Sequence, residues 1–170
     1  MGKNRNIVLI GMMGSGKTTV GQALSAKLGW TYIDTDSEIV RSQGMSISEM
    51  FAKQGEEAFR RAESDTIGDV LRGSKQVIAT GGGAVLLEQN RHAMNENGFV
   101  VALSASVETI IERVRGDQNR PLLQGNLEER VNHIVVSRKH AYDFADLKVD
   151  TDGLPVDRII DVICSAMGNA

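Results

Sequence analysis

Eight residues, Gly11 to Thr18 ("GMMGSGKT"), carry the most specific chemistry in the sequence. They fit the pattern G-x-x-x-x-G-K-[ST] and lie between a predicted strand, "NIVLI", and a predicted helix, "KTTVGQALSAKL". That context is what gives the pattern its meaning. Glycines let successive backbone N–H groups turn inward around a phosphate. The helix that follows begins with unpaired N–H groups and the positive end of its dipole. On this reading Gly14, Ser15, Gly16, Lys17, Thr18 and Thr19 hold the phosphates of a nucleotide. Lys17 reaches the β- and γ-phosphates, and the Thr18 hydroxyl ligates Mg²⁺. The Asn-Lys-x-Asp pattern that reads guanine is absent, which favours ATP over GTP.

A phosphate loop does not say where the phosphate goes, so the acceptor must be sought elsewhere. "DTD" places Asp34 and Asp36 at the end of a second predicted strand, "WTYID". Of two carboxylates beside Mg-ATP, one can serve the metal, directly or through water, and the other can accept a proton from an attacking hydroxyl. The bland alternative is that an aspartate here caps a helix starting near Ser37. "FRRAE" puts Arg60, Arg61 and Glu63 on one helix. Adjacent arginines there point about 100° apart, so only one faces a cleft, and periodicity does not choose between them. "RVRGDQNRPLLQG", with three arginines and a proline, reads as a mobile loop whose arginine could close over phosphates. The alternative is an exposed loop whose charges aid solubility. Arg138, in "SRKHAYDF", falls near a helix end, where its charge also suits the negative terminus.

"VIATGGGAV" raises a separate question. Three consecutive glycines cost chain entropy on folding. Either the backbone needs an unusual dihedral angle there, or something must approach it closely.

The elements that position these residues alternate. Strands are expected at "NIVLI", "WTYID", "QVIAT", "FVVAL" and "LKVDT". Helices are expected over "KTTVGQALSAKL" to Gly29, "SISEMFAKQ" with a Ser46–Glu49 capping box and a stop at Gly55, and "EEAFRRAESDTIGDVLR" to Gly73. Others fall at about 86–97, 107–115, 127–142 and 156–167. This alternation implies an α/β fold with a five-stranded parallel sheet flanked by helices on both faces. Ligands in such sheets bind at the carboxyl ends of the strands, which would gather Gly11, Asp34 and Gly81, with Ser104 a further candidate.

The length, 170 residues, suits a single domain over 1–170, and 41% apolar content suffices for a core despite only 4% aromatics. Net charge is −3, so nucleic acid is a poor partner, and local arginine groups fit a small anion better. The one cysteine, Cys164, lies in a helical apolar pattern and is expected to be buried and inert in a reducing compartment. His133 and His140 are expected at the surface. With no targeting segment and no run long enough to span a bilayer, a cytoplasmic protein without membrane contact is expected. A monomer is the expected state.

Together the motifs resemble the shikimate kinases, small P-loop phosphotransferases related in fold to nucleoside monophosphate kinases. The resemblance covers nearly the whole chain and rests on "YIDTDSEIV", "SISEMFAKQGEEAFRRAE", "VIATGGGAV", "NRPLL" and "SRKHAYDFADL" in that order. It implies transfer of the ATP γ-phosphoryl group to the 3-hydroxyl of shikimate, on the route to chorismate and the aromatic amino acids. It implies Lys17, Asp36 and Arg120 as catalytic residues. Asp36 would bind the shikimate hydroxyls and be the candidate base, with Asp34 near the Mg²⁺ water shell. Arg60, rather than Arg61, and Arg138 would grip the shikimate carboxylate, and Gly81, Gly82 and Gly83 would lie under the substrate. Arg113 would lie against the adenine, and Arg120 would reach ATP from a mobile lid at about 113–125. The substrate-binding helical segment would span about 34–63. A gluconate kinase, or an ATP-binding module without catalysis, shares the loop but not the combination of "DTD" and triple glycine.

Overall fold

In the computed structural model, residues 5–115 and 126–168 are described. Strand β1 (Asn6–Ile10) is buried at all five positions, as an apolar run without alternation requires of a strand covered on both faces. Its Ile7 and Leu9 enter one core cluster, with Val20 and Leu24 of α1 (Lys17–Leu28) and Ile160 and Ile163 of α7 (Val156–Gly168). Its Val8 and Ile10 enter the other, with Ile67 of α3 (Ile47–Val70) and Met94 of α4 (Glu88–Asn97). The remaining strands are β2 (Thr31–Asp34), β3 (Gln76–Ala79), β4 (Phe99–Ser104) and β5 (Leu147–Asp150). All pairings are parallel, in the order β2-β3-β1-β4-β5. The five expected strands are therefore present, with helices on both faces. The order reverses around β1, and the crevice outside its carboxyl end lies between the ends of β3 and β4.

Two local differences from the sequence reading matter, and one agreement. First, β2 ends at Asp34, whose Oδ1 accepts the Ser37 backbone N–H at 3.1 Å and caps α2 (Thr35–Gln43). Asp36 therefore sits in the first turn of a helix, not at the end of the strand. Second, α3 is two helical segments joined at Gly55 (φ 86°, ψ 168°), where the sequence placed a stop. An added Cβ there meets nothing within 4 Å, so the dihedral alone calls for glycine. Third, α6 (Leu127–Ser137) ends early, and residues 138–144 form turns that put Ala141, Tyr142 and Phe144 against the α3–α4 core. The remaining helix, α5 (Val107–Val114), packs with α6 over Met12 and Met13. Cys164 is half-buried against the α1–α7 core rather than fully buried. His133 and His140 are exposed. Among the described residues, no helix is long and apolar enough to cross a membrane.

Candidate active site

The loop between β1 and α1 bends through three glycines in the left-handed region: Gly11 (φ 143°), Gly14 (φ 73°) and Gly16 (φ 102°). A Cβ on Gly11 would also collide with the Leu103 carbonyl oxygen at the end of β4, a backbone atom with no freedom to move away. Gly16 is the N-cap of α1 and provides no side-chain cap, so the first N–H groups of the helix remain available to an anion. Lys17 lies along the loop, its Nζ donating to the carbonyls of Gly11 and Met12. Thr151, just past β5, anchors the loop: its hydroxyl is 3.0 Å from the Ser15 carbonyl oxygen and 2.9 Å from that of Ser104. Arg113, in the last turn of α5, donates from Nη1 to the Gly14 carbonyl at 2.7 Å. The structure thus places Arg113 on the wall of the phosphate loop. Arg120 lies outside the described residues.

This loop forms one wall of a cavity of about 400 Å³, whose lining also includes Thr18, Thr19, Asp34, Asp36, Gly81 and Gly82. Across the cavity, the triple glycine after β3 adopts no positive φ; Gly83 itself has φ −92° and ψ 1°. Close approach, not an unusual dihedral, therefore explains the three glycines. A Cβ on Gly81 would stand 2.9 Å from Asp36 Oδ1 and 3.0 Å from Glu63 Oε2. One on Gly82 would stand 3.2 Å from Arg138 Nη1 and 3.4 Å from the Met13 nitrogen. One on Gly83 would stand 2.6 Å from Arg60 Nη1 and closer still to Nη2. Each glycine makes room for a different charged side chain, and Gly82 also touches the phosphate loop.

Those charges are organised around Glu63. Arg60 Nη1 donates to Glu63 Oε1 at 2.8 Å, and the Arg60 guanidinium lies 5.2 Å from the centre of the Phe59 ring. Arg61 turns to solvent and pairs with Glu57, so the structure selects Arg60 for the cleft. Arg138, at the C-cap of α6, is 6% exposed, and its Nη1 has no hydrogen-bond partner among the described residues. Glu63 is 1% exposed, with its Oε2 likewise unmatched. Tyr142 donates its hydroxyl to the Gly82 carbonyl at 2.8 Å and fixes the glycine turn from behind. The sequence reading gave no role to Glu63, Tyr142 or Thr151. Glu63 alone carried a signal, its position three residues after Arg60 on one helix.

Burial pushes the Glu63 carboxyl above its ordinary range; Arg60 and, more weakly, Arg138 oppose this, while Asp36 adds to it. The folded protein therefore binds this proton more tightly than the unfolded chain does. The resulting contribution to stability is complete below the unfolded pKa and is lost as pH rises through the folded one. Glu63→Gln is expected to flatten this part of the stability curve on the neutral side of the ordinary glutamate value. Denaturant titrations of both proteins from pH 4 to 8 check it; parallel curves would mean that Glu63 keeps the same pKa in both states.

The sequence model of the shikimate kinase family matches residues 13–168. The shikimate kinase of Geobacter sulfurreducens is 43% identical over 162 residues, covering 95% of this chain and 90% of that protein. The solved shikimate kinase from Acinetobacter baumannii in complex with shikimate superposes with a TM-score of 0.94 at 35% identity, covering 98% of this chain and 94% of that one. A gluconokinase from Sinorhizobium meliloti reaches a TM-score of 0.62 at 18% identity, covering 99% of this chain and 94% of that one, which is a likeness of fold alone. Sequence and structure agree: the chain belongs to the shikimate kinase family.

Proposed function

We propose that this cavity is where the γ-phosphoryl group of Mg-ATP passes to the 3-hydroxyl of shikimate, giving shikimate 3-phosphate and ADP. The observation that carries the assignment is the juxtaposition at the glycine turn. Asp36, Arg60 and Arg138 each meet one glycine of the triplet, and the middle glycine abuts the phosphate loop. Phosphoryl transfer needs positioning and charge stabilisation more than covalent help. Gly14, Ser15, Gly16, Lys17, Thr18 and Thr19 hold the phosphates, with Lys17 moving from the loop carbonyls to the transferred group. Asp36 orients the attacking hydroxyl and takes its proton. Arg60 and Arg138 grip the substrate carboxylate with planar donor forks suited to bidentate contact. The unmatched Arg138 Nη1 supports this role, because leaving a buried donor unpaired costs about 1–3 kcal/mol until a ligand meets it. Gly81, Gly82 and Gly83 let the substrate lie against backbone.

Among the described residues, no group of three His, Cys, Asp or Glu side chains could cage a metal. A hydroxyl and a carboxylate, Thr18 and Asp34, do line the cavity. That sparse oxygen set fits Mg²⁺, which keeps waters and phosphate oxygens as most of its ligands. Thr18 would bind it directly and Asp34 through its water shell; the ion would supply charge neutralisation between the phosphates. Arg113 lies against the adenine, and Arg120 neutralises the transferred group from a lid over 113–125, while 34–63 forms the acceptor segment of a single kinase domain. A lone half-buried cysteine and a net charge of −3 suit a cytoplasmic monomer that acts on small molecules rather than nucleic acid.

ADP release with Mg-ATP, measured with and without shikimate, tests the assignment. Shikimate-dependent turnover at about 1–100 s⁻¹ is expected. ATP binding without stimulation by shikimate would leave the phosphate loop standing and overturn the acceptor site.

A further inference from the structure

Tyr32 lies on β2, two residues before Asp34, so both side chains project from the same face of the strand. Gly21 lies on α1, three residues after Thr18, so the two are neighbours on the helix surface. The Tyr32 ring occupies the notch that Gly21 leaves: a Cβ on Gly21 would stand 2.6 Å from Cε2 and 3.2 Å from Cδ2. The phenol hydroxyl is buried yet makes no hydrogen bond of good geometry among the described residues. A buried polar atom left unmatched is costly, and a hydrophobic Phe ring would fill the notch without that cost. The Thr18 hydroxyl and the Asp34 carboxylate both lie close enough to act on the phenol electrostatically. The phenol therefore offers a donor between the two oxygen groups assigned to the metal side of the site.

We propose that Tyr32 is a positioning residue that bridges Thr18 and Asp34 when the Mg-nucleotide binds. The Thr18 hydroxyl donates to the Tyr32 oxygen, which leaves a Thr18 lone pair for the cation. The Tyr32 hydroxyl in turn donates to the Asp34 carboxylate, whose Oδ1 already holds the Ser37 N–H. This rests on the reading of Thr18 and Asp34 as the metal side.

The readout is the apparent dissociation constant of Mg²⁺ from the enzyme–ADP complex, by titration calorimetry, on the full chain. Tyr32→Phe is expected to raise it about 5–10-fold, the size of one ordinary hydrogen bond. ADP affinity without Mg²⁺ should stay within about twofold, and the melting temperature should not fall, since an unmatched buried hydroxyl has been removed. An unchanged Mg²⁺ constant would overturn the proposal. So would equal weakening of ADP with and without Mg²⁺, or a lowered melting temperature with unchanged Mg²⁺ binding, because the hydroxyl would then serve the fold rather than the metal side. Thr18→Ala separates the two levels. If it keeps full Mg²⁺ binding, the metal-side reading falls and Tyr32 with it; if it loses Mg²⁺ binding while Tyr32→Phe does not, only the Tyr32 assignment falls.

Discussion

Asp36→Asn is expected to lower kcat by about 10²–10⁴-fold, the range in which a positioned general base contributes, while the chain stays folded and binds both substrates. Asparagine matches aspartate in shape and keeps an acceptor oxygen, so it can still contact a sugar-like hydroxyl. It cannot take a proton, and one of its terminal atoms becomes a donor. The fold has little reason to object. Asp36 stands in the first turn of α2, where a negative charge favours the helix dipole by about 0.3–1 kcal/mol. Against this, the same charge opposes ionisation of buried Glu63, so its removal relieves a repulsion. The two effects oppose one another, and the melting temperature should move little. Steady-state kinetics with varied shikimate and saturating Mg-ATP check the prediction. A fall in kcat with shikimate KM changed less than about tenfold places Asp36 in the chemical step. A near-wild-type kcat would remove it from the chemistry, and a large rise in KM alone would make it a binding group.

The sequence made the nucleotide side far more legible than the acceptor side. The ends of α1 fall where they were read, at Lys17 and Leu28, because Gly16 and Gly29 both adopt left-handed conformations at its caps. Cap chemistry is local, so it shows in adjacent residues. Asp36 was harder because the same three residues supported two structures. A strand continuing through "DTD" competed with an aspartate cap on a helix near Ser37, and the Ser37 N–H bond to Asp34 decided for the helix. Glu63, Tyr142 and Thr151 have roles set by partners that the chain brings together only when folded. Tyr142 meets Gly82 across 60 residues, and Thr151 meets Ser15 across 136. No periodicity or spacing rule encodes such contacts. The resemblance implies Arg60 rather than Arg61, whereas helix geometry says only that one of the pair faces the cleft.

Gly83→Ala is expected to raise the shikimate KM by about 10²-fold while leaving ATP binding within about twofold. The backbone gives no reason for glycine at this position. Its φ of −92° and ψ of 1° lie in a region that alanine enters without large strain. The added methyl carbon would instead stand 2.6 Å from Arg60 Nη1 and 2.8 Å from Cζ, inside any tolerable contact. The Arg60 guanidinium is held on its other edge by Glu63 at 2.8 Å, so the methyl must push it off that partner or away from the substrate carboxylate. A hydrogen bond between charged groups is worth about 1.5–3 kcal/mol, and every 1.4 kcal/mol is about tenfold in affinity. Displacing one fork thus accounts for an effect near 10²-fold. The cause can be isolated with a double-mutant cycle. In an Arg60→Ala background the space beside Gly83 is open, and adding Gly83→Ala should raise KM by no more than about threefold further. If the full penalty persists there, the glycine serves the approach of substrate to the backbone rather than Arg60. If ATP binding falls in parallel with shikimate binding, the methyl has moved the whole turn, including Gly82 where it meets the phosphate loop. Only the first pattern makes the third glycine of the triplet a steric allowance for an arginine.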